Sequence, residues 1–268
     1  MKNFIIVIFL FSNNVFAQEL FVYTEPASNM AAKSIGIRLN NTFMRLNNTR
    51  HYEYYFIPEV MVGVSKKIMI HGEGFFSNGT KEFKAEGGAL YFKYRFYSRD
   101  EVHSHFRMAG FAKGALNNSH IHQPAIDLNG HNSGYEAGLI ATKLMNKGAV
   151  SASTSFLHAT DNLNNRKFFF GENNRNAVAY SLSAGMLLLP KEYNSYEQTN
   201  LNLMLEILGQ SNPASATSYV DLAPSLQLII YSRMRLDLGY RFAVLNELGR
   251  TAETGWLLRF EYNMYNVF

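Results

Sequence analysis

The sequence is dominated by segments of about ten residues in which apolar and polar side chains alternate. In the clearest segment, Leu201, Leu203, Leu205 and Ile207 fall on one side and polar residues fill most of the other. A period of two places successive side chains on opposite faces of a β-strand. Helical periodicity is nearly absent, so the pattern predicts an all-β fold.

Counting the alternating segments gives about twelve strands and two kinds of connection. The predicted strands are 33–46, 53–64, 68–77, 84–97, 104–115, 133–144, 149–159, 176–189, 198–209, 217–231, 234–245 and 254–267. Connections after even-numbered strands are short polar turns, whereas two after odd-numbered strands, 116–132 and 160–175, are long. An even strand count with one short-turn end and one long-loop end is typical of outer-membrane barrels.

The polar face of the predicted strands is charged, and the apolar face is bulky and aromatic. In the last predicted strand, Arg259 and Glu261 alternate with Trp256, Leu258 and Phe260. Lipid suits such an apolar face, but a sheet in lipid must close, because an open edge leaves backbone groups without hydrogen bonds. The sequence therefore predicts an all-β, closed antiparallel transmembrane β-barrel in an up-and-down meander. A secreted soluble β-protein is the alternative.

The first 32 residues do not alternate. Lys2, the apolar stretch 4–11 and the small residues before a cut after Ala17 predict a signal peptide at 1–17. Residues 18–32 are expected to lie on the periplasmic side as a leader or to enter the barrel as a small plug. The barrel itself is expected to span residues 33–268.

The end of the chain carries a resemblance. The terminal Phe268 on an amphipathic last strand resembles the insertion signal of Gram-negative outer-membrane β-barrel proteins, although Asn266 stands where that signal usually has an apolar residue. The Asn-rich, Cys-free chain is similar to barrels of Bacteroidetes-type bacteria. The resemblance implies a cell outer membrane location, contact with lipid and lipopolysaccharide, and recognition of the C-terminal strand by the outer-membrane insertion machinery.

Composition narrows the functional classes. The chain has no Cys, which excludes disulfides, zinc–cysteine sites and thiol nucleophiles. A net charge of +4 without basic runs argues against nucleic acid as a partner.

The charges on the polar face are the candidate functional residues. They are expected to line the lumen, either as a pore that orients a polar solute or as carboxylate–arginine pairs that close it. The ten expected to line the path are Arg38, Glu59, Glu73, Lys93, Arg95, Arg107, Glu206, Asp221, Arg241 and Arg259.

Histidines form a second candidate site. His120, His122 and His131, with Asp127, lie in one long outer loop and form a candidate site for Zn or Cu. Chance enrichment of His in an Asn-rich loop is the alternative.

Catalysis has little support in the sequence. Some twelve-stranded outer-membrane barrels are phospholipases with a Ser–His pair on the lipid face. His158 has the outward phase, but no serine accompanies it on that face, since Ser181 and Ser183 point inward.

The sequence therefore predicts a small porin-like channel or transporter for a polar solute, with no cofactor and no enzymatic activity. The alternative is a closed barrel that acts as a scaffold, adhesin or accessory subunit through its outer loops. A lipid-modifying enzyme is a third hypothesis.

Overall fold

The computed structural model describes residues 21–47, 51–79, 82–101, 104–191 and 197–268. The predicted signal peptide at 1–17 lies outside the described residues. No helix formed by the described residues is long and apolar enough to cross a membrane.

Twelve strands form one closed antiparallel barrel in which each strand pairs with its neighbours in the chain and β1 pairs with β12. The strands are β1 (Ser34–Leu46), β2 (Tyr52–Gly63), β3 (Ile68–Ser77), β4 (Lys84–Glu101), β5 (Ser104–Asn117), β6 (Gly134–Met145), β7 (Gly148–Ala159), β8 (Asn176–Leu189), β9 (Asn200–Asn212), β10 (Thr217–Ile230), β11 (Met234–Asn246) and β12 (Ala252–Met264). The predicted fold class, strand count and meander order are confirmed.

Two strand boundaries differ from the prediction in an informative way. β4 continues to Glu101, beyond its predicted end at residue 97, because Arg99 and Asp100 pair with Phe106 and His105 of β5, which extends this hairpin. β12 ends at Met264, so residues 265–267 are not part of the strand. Asn266 adopts a φ of 55°, which strand geometry does not allow.

The alternation of the sequence separates the two faces of the wall. On β12, Trp256, Leu258 and Phe260 are exposed on the outside, whereas Leu257 and Glu261 are buried inside. The outward apolar side chains form the surface that lipid would cover.

Two other parts of the chain fill much of the interior. Residues 21–32, here called the N-terminal segment, lie inside the barrel near the short-turn end, with Phe21, Val22 and Ala27 almost fully buried. At the long-loop end, the β5–β6 loop (residues 118–133) places Ile126 and Leu128 in an apolar cluster inside the barrel. By the asymmetry of outer-membrane barrels, the long-loop end is the outer end.

Candidate functional site

Glu206 of β9 binds the N-terminal segment. Its carboxylate accepts backbone hydrogen bonds from Val22, Tyr23 and Thr24 at 2.8, 2.9 and 2.9 Å. The Thr24 hydroxyl adds a bond of 2.7 Å to Glu206 and contacts the Ser183 hydroxyl at 2.8 Å. Since buried carboxylates are stable only when hydrogen-bonded or paired, these donors explain how Glu206 can be fully buried.

Basic side chains bind the next part of the N-terminal segment. Lys93 Nζ donates to the carbonyls of Pro26 and Ser28 at 2.8 and 2.9 Å. Arg107 donates to the Ser28 hydroxyl at 3.0 Å. Glu25 of the segment lies 2.8 Å from Arg38, so acidic and basic groups join the segment to the wall on β1, β4, β5 and β9.

Small lumen residues give the N-terminal segment its space. A Cβ atom at Gly239 would lie 2.7 Å from the ring of Tyr23, and one at Gly185 would lie 3.7 Å from the ring of Phe21. Thr142 accepts the Ala27 amide at 2.9 Å. The absence of side chains at Gly185 of β8 and Gly239 of β11 thus leaves lumen space that part of the chain itself occupies.

The β5–β6 loop is bound at the opposite end. The Gln210 side chain accepts the Ile126 amide at 2.9 Å and donates to its carbonyl at 2.8 Å. Gln123 accepts the Thr251 amide at 3.0 Å. The loop therefore bonds both to β9 and to the β11–β12 connection across the lumen.

The neighbouring outer loop at 160–175 is fixed by Asp161. This carboxylate accepts the Phe168 amide at 3.0 Å and the Arg175 guanidinium at 2.8 Å. The amide and the guanidinium hold the pKa of Asp161 below its usual value.

Between the N-terminal segment and the β5–β6 loop lies a cavity of about 430 Å³, here called the chamber. Its charged lining comes from both walls and from the two inserted pieces of chain. The acidic, basic and histidine residues in that lining are Glu25, Arg38, Glu59, His71, Glu73, Lys113, Asp127, His131, Glu136, Arg241, Arg250 and Arg259.

One side of the chamber is basic. Arg250, from the β11–β12 connection, binds both oxygens of Asp221 at 2.6 and 2.7 Å and lies 3.9 Å above the Tyr219 ring. Arg241 Nε binds the same carboxylate. Two guanidinium groups therefore share one carboxylate, and the Arg241 side chain remains 25% exposed to the chamber.

The other side is acidic. Glu73 binds Lys113 Nζ at 2.6 Å, and Lys113 also donates to Asn129 of the β5–β6 loop at 2.6 Å. Beside them on β6, Glu136 accepts the Ser155 hydroxyl at 2.6 Å and has no cation within salt-bridge distance among the described residues.

The ten charges expected along the path fall into four groups. Arg38, Glu59, Glu73, Arg241 and Arg259 line the chamber. Lys93, Arg107 and Glu206 bind the N-terminal segment. Asp221 is buried beneath Arg241 and Arg250, and Arg95 is half-buried nearer the short-turn end.

The predicted histidine site does not gather three ligands. His120 and His122 are exposed with ring centroids 5.8 Å apart, and His131 Nε2 lies 3.8 Å from Asp127 Oδ2. Within the described part of the chain, three metal-binding side chains converge instead at Glu25, Glu59 and His71.

The convergence of Glu25, Glu59 and His71 is already neutralised by protein groups. His71 Nδ1 contacts Glu59 at 2.5 Å, and Arg38 binds both carboxylates at 2.8 and 3.1 Å. An incoming metal ion would have to displace this guanidinium.

His158 has the outward position expected on β7, and its ring stacks on Tyr135. Its Nδ1 contacts the side-chain oxygen of Asn176 at 2.8 Å, so its recorded partner is an amide and not a hydroxyl nucleophile.

Glu25, Glu136 and Arg250 were not expected from the sequence to line the path, and Asp127 and His131 were expected only in the histidine site. Glu136 lies on predicted strand 6, whose alternation is poor, and the others lie outside strands, where no period marks an inward side chain.

Solved structures of outer-membrane proteins are similar to this barrel. An outer membrane channel from Pseudomonas putida F1 is 11% identical and has a TM-score of 0.60, covering 91% of this chain and 100% of that chain. The NanC porin is 9% identical with a TM-score of 0.51, covering 85% of this chain and 98% of that chain. No protein-family model matches the sequence, and no curated protein does.

The closed barrel, its apolar exterior and its charged lumen define an outer-membrane β-barrel with the fold of porins and channels. The predicted resemblance to outer-membrane β-barrel proteins and the predicted outer-membrane location are confirmed. Because the sequence identities are near 10%, these similarities establish the fold alone. The function of the lumen depends on this chain's own residues.

Proposed function

We propose that the protein is a porin-like channel that passes small polar solutes across the outer membrane. The chamber carries this proposal, because it places accessible charged groups inside a barrel with an apolar exterior. Charged groups are stable in such an interior only with water or paired charges around them. A cavity of about 430 Å³ has room for water and for a small solute.

The N-terminal segment and the β5–β6 loop set the size limit of the path. Both cross the lumen, one at each end of the chamber, and both are held by hydrogen bonds to the wall. A solute must pass beside them or displace them. The proposal therefore predicts small conductance and a sharp size cut-off. It also includes export by the signal peptide at 1–17 and insertion through the strand that precedes Phe268.

Reconstitution in planar bilayers tests the proposal. We expect discrete single-channel conductance steps. Because Arg241 lines the chamber, Arg241→Gln should change the size of these steps. Arg233→Gln is the matched control because Arg233 is exposed in the β10–β11 turn. Bilayers that stay silent with correctly folded protein would overturn the channel and favour the closed scaffold, for which the filling of the lumen by the N-terminal segment is the supporting observation.

A further inference from the structure

The chamber holds charged groups on opposite walls whose hydrogen-bonding capacity the protein uses only in part. Arg241 uses only Nε in the hydrogen bonds recorded for the described residues, so both terminal nitrogens of its fork are available. Arg259 bonds Asn40 through Nε at 2.5 Å and lies 3.7 Å from Asp237, which already binds Arg235. A planar guanidinium with two free nitrogens matches a carboxylate.

The opposing wall offers acceptors. Glu136 uses Oε1 for the Ser155 hydroxyl, and Oε2 has no recorded partner among the described residues. Asp127, from the β5–β6 loop, accepts the Asn129 amide through Oδ1 at 2.8 Å and has His131 at 3.8 Å from Oδ2. Carboxylate oxygens of this kind suit an ammonium group, which only donates hydrogen bonds.

The topology separates these groups across the lumen. Arg259 lies on β12 and Glu136 on β6, six strands apart in a ring of twelve, which is half-way round the barrel. Arg241 lies on the neighbouring strand β11, where it pairs with Gly255, four residues before Arg259 on β12. A solute in the chamber therefore has a basic wall on one side and acidic groups on the other.

Resting on the proposed channel function, we infer that the chamber selects zwitterionic solutes of amino-acid or dipeptide size. The solute's carboxylate binds Arg241 and Arg259, and its ammonium group binds Glu136 and Asp127. A solute with one charge satisfies one wall and leaves the other without a partner. The discrimination follows from the cost of leaving a buried charge unpaired.

Four solutes of nearly equal size test the inference by swelling of liposomes that contain the intact barrel. They are glycylglycine, which is zwitterionic, N-acetylglycine, an anion, glycylglycine amide, a cation, and N-acetylglycinamide, which is neutral. We expect glycylglycine to enter at least threefold faster than the other three. Arg241→Gln and Glu136→Gln should each abolish that preference, while Arg233→Gln keeps it.

Both variants are expected to fold. Asp221 keeps its two bonds to Arg250 when Arg241 is replaced, and Lys113 keeps Glu73 when Glu136 is replaced. If glycylglycine enters no faster than N-acetylglycinamide, or if N-acetylglycine is the fastest, the zwitterion site is wrong but the channel stands. If none of the four enters and bilayers show no conductance, the channel function itself is wrong.

Discussion

At the scale of single residues, Glu206 decides whether the N-terminal segment stays in the lumen. One carboxylate accepts three consecutive backbone amides and the Thr24 hydroxyl of the segment, together with the Ser183 hydroxyl of the wall. Glu206→Gln replaces one of its oxygens with an amide donor that opposes those N–H groups. Hydrogen bonds to a charged group contribute about 1.5–3 kcal/mol each, so loss of the equivalent of one bond raises the released fraction about tenfold or more.

The natural absence of Cys makes this release measurable. Asn29→Cys places a thiol in the segment at a buried side chain with no recorded hydrogen bond. Maleimide labelling should be about tenfold faster or more when Glu206→Gln is added. Asn29→Cys combined with Glu101→Gln, an exposed site, is the control. Equal labelling rates in Asn29→Cys alone, with Glu206→Gln and with Glu101→Gln would show that Glu206 is not the anchor.

A second residue-scale prediction compares the loss of Asp221 with the loss of Arg241, one of the two arginines that it binds. Asp221→Asn leaves Arg241 and Arg250 without their shared carboxylate, and removing one partner of a buried ion pair costs about 3–5 kcal/mol. Arg241→Gln should cost much less, because Asp221 still binds Arg250 through both oxygens. Urea titrations in lipid vesicles compare the two, and equal midpoints would contradict this account of the cluster.

At the scale of elements, the strands could be predicted from sequence and the pieces inside the barrel could not. A strand can be recognised from a short stretch of sequence, because its alternate side chains lie in different environments. Leu201, Leu203 and Leu205 are an example. The N-terminal segment depends on Glu206, more than 180 residues away in the chain. Such a contact leaves no periodic pattern in the sequence. The sequence alone therefore does not distinguish a plug inside the barrel from a leader on the periplasmic side.

The β5–β6 loop shows the same limit and gives a prediction. Its Ile126 backbone forms two hydrogen bonds with the Gln210 side chain, as if it were an added strand, and its apolar side chains pack with Phe75 and Leu157. Gln210→Ala removes both bonds, at about 1 kcal/mol each. We expect larger and noisier single-channel conductance as the loop leaves the lumen more often.

Arg233→Gln, at the exposed β10–β11 turn, is the control for this change. Conductance of Gln210→Ala that equals that of the natural chain would show that the loop does not limit the path.

At the scale of the whole molecule, the barrel is stable only if its two faces remain in different solvents. Leu258 lies near the middle of β12 and points outward, paired with Leu238 of β11. Leu258→Arg places a charge in the apolar band and should lower the free energy of unfolding by about 2–4 kcal/mol. Tyr231→Arg, at the exposed β10–β11 turn, should cost about 0–1 kcal/mol because the penalty falls towards the interface. Reversible urea unfolding in phospholipid vesicles measures both. Similar losses at the two sites would mean that the outer face of β12 is not in contact with lipid, which would remove the physical basis for reading the charged interior as a path across a membrane.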